Sequence, residues 1–497
     1  MSYNSFRDRL ARSLDSKYVA YSLLFVMAIL TRFMVFGNPF IFADEEFYML
    51  VGGRMLHGEL PYVDIWDRKP IGIFLLYELF HLFGPYRIWA YQAIALLSAW
   101  ATSILCMKVA RLIAPVGGAL CAGCLYLVWI ANSQGCGGQT PIFYNLLVVW
   151  AILLVARFMA GQARLTLFQT GAGVMLLFGI ALQLKTSVVF EGIYVGLFLM
   201  GLTYRRGGTL KQVMGHAIIW CGLALVPTLA VMLFYALDGH FQEWWFANTV
   251  SIFLKKPIPA ASLHQWLHNV YWCLVMLGIL LGTTVLRFLF RKQTAHCQPL
   301  SLFLGGWAWT AFAGFALFNT FTKHYSLPLY PAFFITAAPL WASPFSRLWL
   351  VLLLVWGGIR TYDTEKKINR ASDLSTLRQA VSRLSSPVGC VFNYDTPDIL
   401  LDSVPYCHLT RFPFSAHLSA DTERNALGID PVQETKAILA QKPLYILLSA
   451  DDTEHDMSIN RDTYAVLTRE LKQHYEMIYE HPPRYAFSGF IIYRRIR

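Results

Sequence analysis

Three adjacent carboxylates, Asp44, Glu45 and Glu46, stand in Phe42-Ala-Asp-Glu-Glu-Phe-Tyr48. A second polar run follows, Gly58-Glu-Leu-Pro-Tyr-Val-Asp-Ile-Trp-Asp-Arg-Lys-Pro70, with Glu59, Asp64, Asp67, Arg68 and Lys69. Neighbouring carboxylates repel one another, and at an interface at least one of their pKa values rises. That suits a general base acting on a hydroxyl; the plainer reading is a solvated acidic loop. Cations stand at two further places between apolar runs: Lys185 in Leu182-Gln-Leu-Lys-Thr-Ser187, and Lys323-His324-Tyr325 ahead of Ser-Leu-Pro-Leu-Tyr-Pro331. Cations at a lipid–water boundary are placed to hold a phosphate carried on a lipid tail. A single lysine there would only snorkel.

The elements that must position these groups are apolar. Of 497 residues 56% are hydrophobic and only 14% charged, against about 25% charged in a soluble domain. The charge is uneven: residues 361–497 hold 34 of the 71 charged residues. This excludes a single soluble globule, a disordered chain and a disulfide-stapled secreted domain. The net charge of +11 comes from residues 1–360, whose 25 basic and 12 acidic side chains give +13 against −2 in residues 361–497, and so does not point to nucleic acid.

A helical span needs about 20 mostly apolar residues. Eleven stretches qualify: 18–36, 86–107, 112–131, 141–157, 165–184, 187–204, 213–237, 270–290, 299–320, 326–342 and 346–360. With the N-terminus inside, the inner loops collect Arg7, Arg9, Arg12, Lys17, Lys108, Arg111, Arg157, Arg164, Arg205, Arg206, Lys211, Arg287, Arg291, Lys292 and Arg347, against Asp8 and Asp15. This satisfies the positive-inside rule. It places Lys69, Lys185 and Lys323 at three tips on the outer face and the C-terminal part outside. The first span lacks a cleavage signal and reads as retained. Ile71–Gly84, at 14 residues with Glu78 and His81, is too short and polar to cross and reads as a helix in the outer interface.

Asp44-Glu45, then Gly58-x-x-Pro-Tyr-x-Asp-x-Trp-x-x-Lys-Pro70, resembles the first outer loop of the bacterial protein O-mannosyltransferase-like enzymes. These are C-type membrane glycosyltransferases and include the lipid A aminoarabinose transferases. Gly179-x-Ala-x-x-x-Lys185 is similar to their outer lysine hairpin, Lys323 to Pro331 to their late outer motif, and Cys390 to Phe412 to their outer α/β domain. The resemblance covers nearly the whole chain in order. It implies an inverting transfer of one sugar from a polyprenyl-phosphate (undecaprenyl-phosphate) donor to an acceptor hydroxyl on lipid A, lipopolysaccharide or another envelope glycan. Asp44 would be the base and Glu45 would tune it. Lys69, Lys185 and His324, with Lys323 and Arg68, would bind the donor phosphate. Asp64, Asp67, Gln139, Tyr325 and Glu191 are candidate substrate contacts. Relatives carry an acid in the outer loop between spans three and four; here it reads Asn132-Ser-Gln-Gly-Cys-Gly-Gly-Gln-Thr140, so Gln139 or Gln134 would bond the sugar. No cofactor is implied, and a divalent metal at the phosphate is left open.

The expected fold is thus a polytopic α-helical membrane protein of about 11 transmembrane helices with the GT-C fold and a C-terminal periplasmic α/β domain. It sits in a bacterial inner membrane, with residues 1–360 forming the membrane domain, 37–85 its outer catalytic loop and 361–497 the periplasmic domain. In that last part Leu374–Leu384 and Asp462–Tyr475 read as helices, and Gly389–Tyr394, Pro443–Leu448 and Phe487–Tyr493 as strands. Cys390 and Cys407 can pair in an oxidising compartment. Cys121-x-x-Cys124 falls within a span and reads as buried thiols, Phe241–Phe246 as an interface anchor, Lys255-Lys-Pro257 as a weak attractor of anionic headgroups, and Asp451–Asp456 as an acidic turn. Alternatives are a protein or capsule acceptor, or a transporter of lipid-linked sugars. A transporter should show inverted repeats and mid-membrane charge pairs, and neither is visible.

Overall fold

The computed structural model describes residues 16–256, 263–294, 298–317, 321–385, 387–451, 458–485 and 487–496. Arg7, Arg9, Arg12, Asp8 and Asp15 of the expected inner end, Pro257, and the expected turn from Asp452 to Asp456 lie outside the described residues. The chain forms two compact units, one of residues 1–33, 93–229 and 267–364, the other of 34–92, 230–266 and 365–497.

The first unit is helical. Among the described residues of the whole chain, six helices are long and apolar enough to cross a membrane: Gly84–Ala110, Thr140–Met159, Thr186–Arg205, Leu210–Leu237, Trp266–Leu289 and Gln298–Leu317. Eleven spans were expected. Four of the others are helical but shorter, at Lys17–Leu30, Val116–Asn132, Leu167–Leu182 and Leu329–Ala342. The stretch 346–360 lies in helix Pro344–Ala371, whose second half is charged. The chain is a multi-pass membrane protein. Its helices pack closely where side chains are small, as lipid-embedded helices do: a Cβ on Gly179 would meet the Ala224 backbone. Gly179 of the lysine hairpin motif therefore serves packing. Trp129 anchors an aromatic cluster with Trp272, Tyr330, Phe334 and Trp356, and its indole donates to the Leu353 carbonyl at 3.1 Å. Cys121 and Cys124 are free thiols on helix Val116–Asn132.

The second unit joins the first polar segment to the C-terminal part. Helices Ala43–Met55 and Ile71–His81 lie against each other, and Gly52 makes this possible: a Cβ there would collide with the backbone of Tyr77 and Glu78. Ile73, Phe74, Tyr77 and Phe80 form the buried face of the second helix, with Tyr48 edge-on to Phe74 and Tyr77. A four-stranded sheet has the order β1 (Val391–Asn393), β2 (Tyr445–Leu448), β4 (Phe490–Arg495), β3 (Tyr475–His481). β1 and β2 are parallel and wholly buried, and the other pairs are antiparallel. Helix Leu374–Leu384 begins at Asp373, which caps it by accepting from the Ser375 and Thr376 amides. The helix read as Asp462–Tyr475 is Arg461–His474, and β3, which follows it directly, was not anticipated. Glu476 and Glu480 deny it an apolar run, and it is an edge strand held by pairing with β4. Cys390 and Cys407 are disulfide-bonded.

Candidate active site

Asp44, Glu45 and Glu46 occupy the first turn of helix Ala43–Met55, where the helix dipole favours negative charge. Successive helical residues turn by about 100°, so the three carboxylates have three different neighbourhoods. Asp44 reaches Lys69, Oδ1 to Nζ 3.3 Å. Glu45 is buried among Tyr77 and Tyr91. Glu46 is buried against the C-terminal part, its Oε2 3.5 Å from the Ile399 amide. Burial first, with Glu45 beside it, raises the Glu46 pKa to about 8. The rise expected for one of the three therefore falls on Glu46, which faces the Ile399 backbone.

The segment 58–70 is folded by its own polar groups. Asp64 accepts from the Leu60 amide at 2.8 Å and closes a turn. Tyr62, in the left-handed region at φ 71°, donates its hydroxyl to the Lys69 carbonyl at 2.8 Å. Asp67 accepts from the Lys69 amide at 2.7 Å and lies 3.5 Å from its ammonium. Burial opposes ionisation of Asp67, yet Lys69, His417 and Arg68 outweigh it and hold the carboxyl far below its usual range. Burial likewise opposes the charge on Lys69, while Asp44 and Asp67 drive its pKa above the usual lysine value. The ammonium also lies over the rings of Tyr48, Phe414 and Phe47, at 5.2, 5.6 and 5.8 Å. Lys69 and Asp44 keep 25% and 21% of their side-chain surface, enough for a ligand to reach them.

Arg68, expected at the donor phosphate, is forked onto Glu423 at 3.0 and 2.5 Å and donates to Ser251 at 3.2 Å. Lys255 also meets Glu423, at 2.6 Å, and Lys256 meets Asp421 at 3.2 Å. These two lysines were expected to attract headgroups; buried Glu423 and partly exposed Asp421 engage them instead. Burial would raise the Glu423 pKa, but Arg68 and Lys255 hold it at about 2. In the expected aromatic anchor, Trp245 is exposed and Trp244 is buried.

The remaining candidates belong to the helical unit. One cleft is lined by Lys185, Glu191, His324 and Tyr325, with Tyr144 and Ser187. The Lys185 ammonium lies 4.8 Å from the centre of the Tyr325 ring. Glu191 accepts from the Trp307 indole at 2.7 Å, an anchoring bond between helices. Lys323 donates to Asn132 at 3.1 Å and covers Trp272. Gln139 is buried just before helix Thr140–Met159, its Nε2 without a hydrogen-bond partner among the described residues. Gln134 has φ 66°. Asp44, Asp67 and Lys69 thus form one cluster, and Lys185, Glu191, His324 and Tyr325 another, in different units.

Sequence reasoning missed the C-terminal partners. His417 is buried, 3.8 Å from Asp67 Oδ2, and burial lowers its pKa against the pull of Asp67. Asp402 receives Arg87 and His81, each at 2.8 Å. The signal available was the aromatic setting Phe412-Pro-Phe-Ser-Ala-His417.

Comparison with solved structures finds the same overall architecture in ArnT from Cupriavidus metallidurans bound to undecaprenyl phosphate. The TM-score is 0.60 at 14% identity, over 96% of this chain and 98% of that one. The apo form of that protein scores 0.44 at 15% identity, over 96% and 98% of the two chains. The Archaeoglobus fulgidus oligosaccharyltransferase tethered to an acceptor peptide scores 0.49 at 12%, over 97% and 74%. Neither of these two carries weight. No family profile and no curated protein sequence matches the chain. The chain therefore shares its overall fold with that ArnT structure.

Proposed function

We propose that the chain is an inverting glycosyltransferase that moves one sugar from a polyprenyl-phosphate donor to an acceptor hydroxyl of an envelope glycolipid, lipid A or lipopolysaccharide foremost. The observation that carries this reading is the partly exposed Asp44–Lys69 pair, backed by Asp67, in a chain with the ArnT fold. Asp44 takes the proton of the acceptor hydroxyl as its oxygen attacks the anomeric carbon from the face opposite the phosphate. The glycosidic C–O bond breaks, its electron pair leaves with the donor phosphate, and Lys69 stabilises that charge. Arg68 supports the reaction by pinning the segment that carries Lys69. Glu45 and Asp64 belong to the same unit as the Asp44–Lys69 pair and are read with it; in the helical unit, taken by itself, Lys185 and His324 line a cleft suited to a phosphate. The reading uses no cofactor; assay with a chelator tests for a divalent metal.

The reaction is placed at the periplasmic face of a bacterial inner membrane, with residues 361–497 outside. The basic inner loops and the Cys390–Cys407 disulfide support that placement. The test is mass spectrometry of lipid A, core and lipid-linked sugars from cells with and without the gene. Loss of one sugar mass from a glycolipid on deletion is the expected result and names the sugar. Unchanged glycolipids with a changed glycoprotein or capsule would move the acceptor, and a donor trapped on the inner leaflet would replace transfer with transport.

A further inference from the structure

Helix Gln298–Leu317 borders two clefts of the helical unit. Ala311, Gly314 and Phe315, toward its C-terminal end, line the cleft of Lys185 and His324. Gln298, Ser301, Leu302 and Gly305, toward its N-terminal end, line a second. At 1.5 Å per residue the centres of the two stretches are roughly 18 Å apart along the axis. The second cleft is thus centred toward the other end of a membrane-crossing helix; it shares no lining residue with the first, and where the two come nearest, Trp309 and Ala311 lie about 200° apart around the helix.

Its cationic wall is Arg287, in the last turn of helix Leu263–Leu289, and Arg291, which opens the next helix. The Arg291 guanidinium lies over the Phe288 ring, 5.4 Å from its centre. Apolar surface frames the mouth: Leu302 is 77% exposed and Phe288 67%. Behind them the cleft reaches Trp309. Gly305 leaves it open, because a Cβ there would meet nothing within 4 Å. The positive-inside rule explains basic residues on a loop. It does not explain why two arginines share a groove whose other walls combine Trp309, Leu302, Phe288 and the open face of Gly305 with the polar Thr284, Gln298, Ser301 and Thr336. Guanidinium groups grip phosphate oxygens in a fork, and apolar walls beside them fit an acyl chain.

We propose that this cleft binds an anionic phospholipid of the adjacent leaflet, its headgroup phosphate on Arg287 and Arg291 and one acyl chain along Leu302, Gly305 and Trp309. The test is native mass spectrometry of the delipidated full-length protein titrated with dioleoyl phosphatidylglycerol, dioleoyl phosphatidylcholine or glycerol phosphate. Phosphatidylglycerol should bind about tenfold or more tightly than phosphatidylcholine, and excess glycerol phosphate should not displace it. Arg287→Gln with Arg291→Gln should weaken phosphatidylglycerol by about tenfold. Gly305→Leu should weaken it comparably by filling the groove with every charge intact, which decides the matter if the double variant does not fold. Arg205→Gln with Arg206→Gln, the same charge removed from another loop, should leave binding unchanged. Equal weakening by that control, unchanged binding in Gly305→Leu, equal affinity for phosphatidylcholine, or displacement by glycerol phosphate would overturn the proposal.

Discussion

Lys69 Nζ lies 3.3 Å from Asp44 Oδ1, so the proposed phosphate ligand is also the counter-ion of the proposed base. A phosphate arriving at Lys69 draws on the same ammonium and leaves Asp44 less neutralised, hence a better proton acceptor. In the proposed reaction, donor binding and activation of the acceptor would be coupled through this one side chain.

That coupling sets the first prediction. Lys69→Ala should weaken donor binding and slow the chemical step together, with turnover falling by about 10²–10³. Undecaprenyl-phosphate binding and single-turnover rates, measured on the same preparation, check it. Normal values of both would remove Lys69 from the phosphate role.

Buried Glu423 gathers the partly exposed Arg68 and the exposed Lys255. Glu423→Ala should cost about 1–3 kcal/mol, because Arg68 loses its fork while the exposed Lys255 is re-solvated, and should reduce turnover through the position of segment 66–70. The wild-type pKa lies at about 2, below the model-compound 4.5. A lowered carboxylate pKa stabilises the fold above pH 4.5 and loses that contribution as pH falls toward 2. Thermal unfolding in detergent across that window should show the loss in wild type and not in Glu423→Ala.

Glu46 behaves oppositely. Its pKa of about 8 lies above 4.5, so the folded chain holds a proton that the unfolded chain releases. Its effect on stability is therefore most favourable below pH 4.5 and declines as pH rises to 8. Glu46→Gln keeps the neutral form and should flatten that decline while retaining turnover. An unchanged slope between pH 5 and 8 would contradict the buried neutral carboxyl.

Much of this arrangement was legible in the sequence, for local reasons. The helix Ile71–His81 and the buried strands β1 and β2 follow from short apolar runs. What stayed hidden were partners far apart in the chain. Nothing near Arg68 announces Glu423, and nothing near Glu46 announces the Ile399 amide. The carboxylates 44–46 looked equivalent as neighbours, and only the packing of helix Ala43–Met55 separated them. β3 was hidden because its stability comes from β4 and not from its own residues.

The Cys390–Cys407 bond spans 17 positions and ties β1 to the loop that carries His408, whose Nδ1 meets Glu59 at 2.7 Å. Replacing both cysteines by serine should lower stability by about 3 kcal/mol. Loss of the melting shift on reductant treatment, present in wild type and absent in the double variant, checks it.

The most direct measurement replaces Asp44 by Asn in otherwise intact cells and weighs the envelope glycolipids and lipid-linked sugars. The account predicts a folded, membrane-inserted protein, a glycolipid lacking one sugar and a retained polyprenyl-phosphate sugar, with turnover reduced by about 10²–10⁴. Full modification of the glycolipid by the Asp44→Asn protein would contradict it.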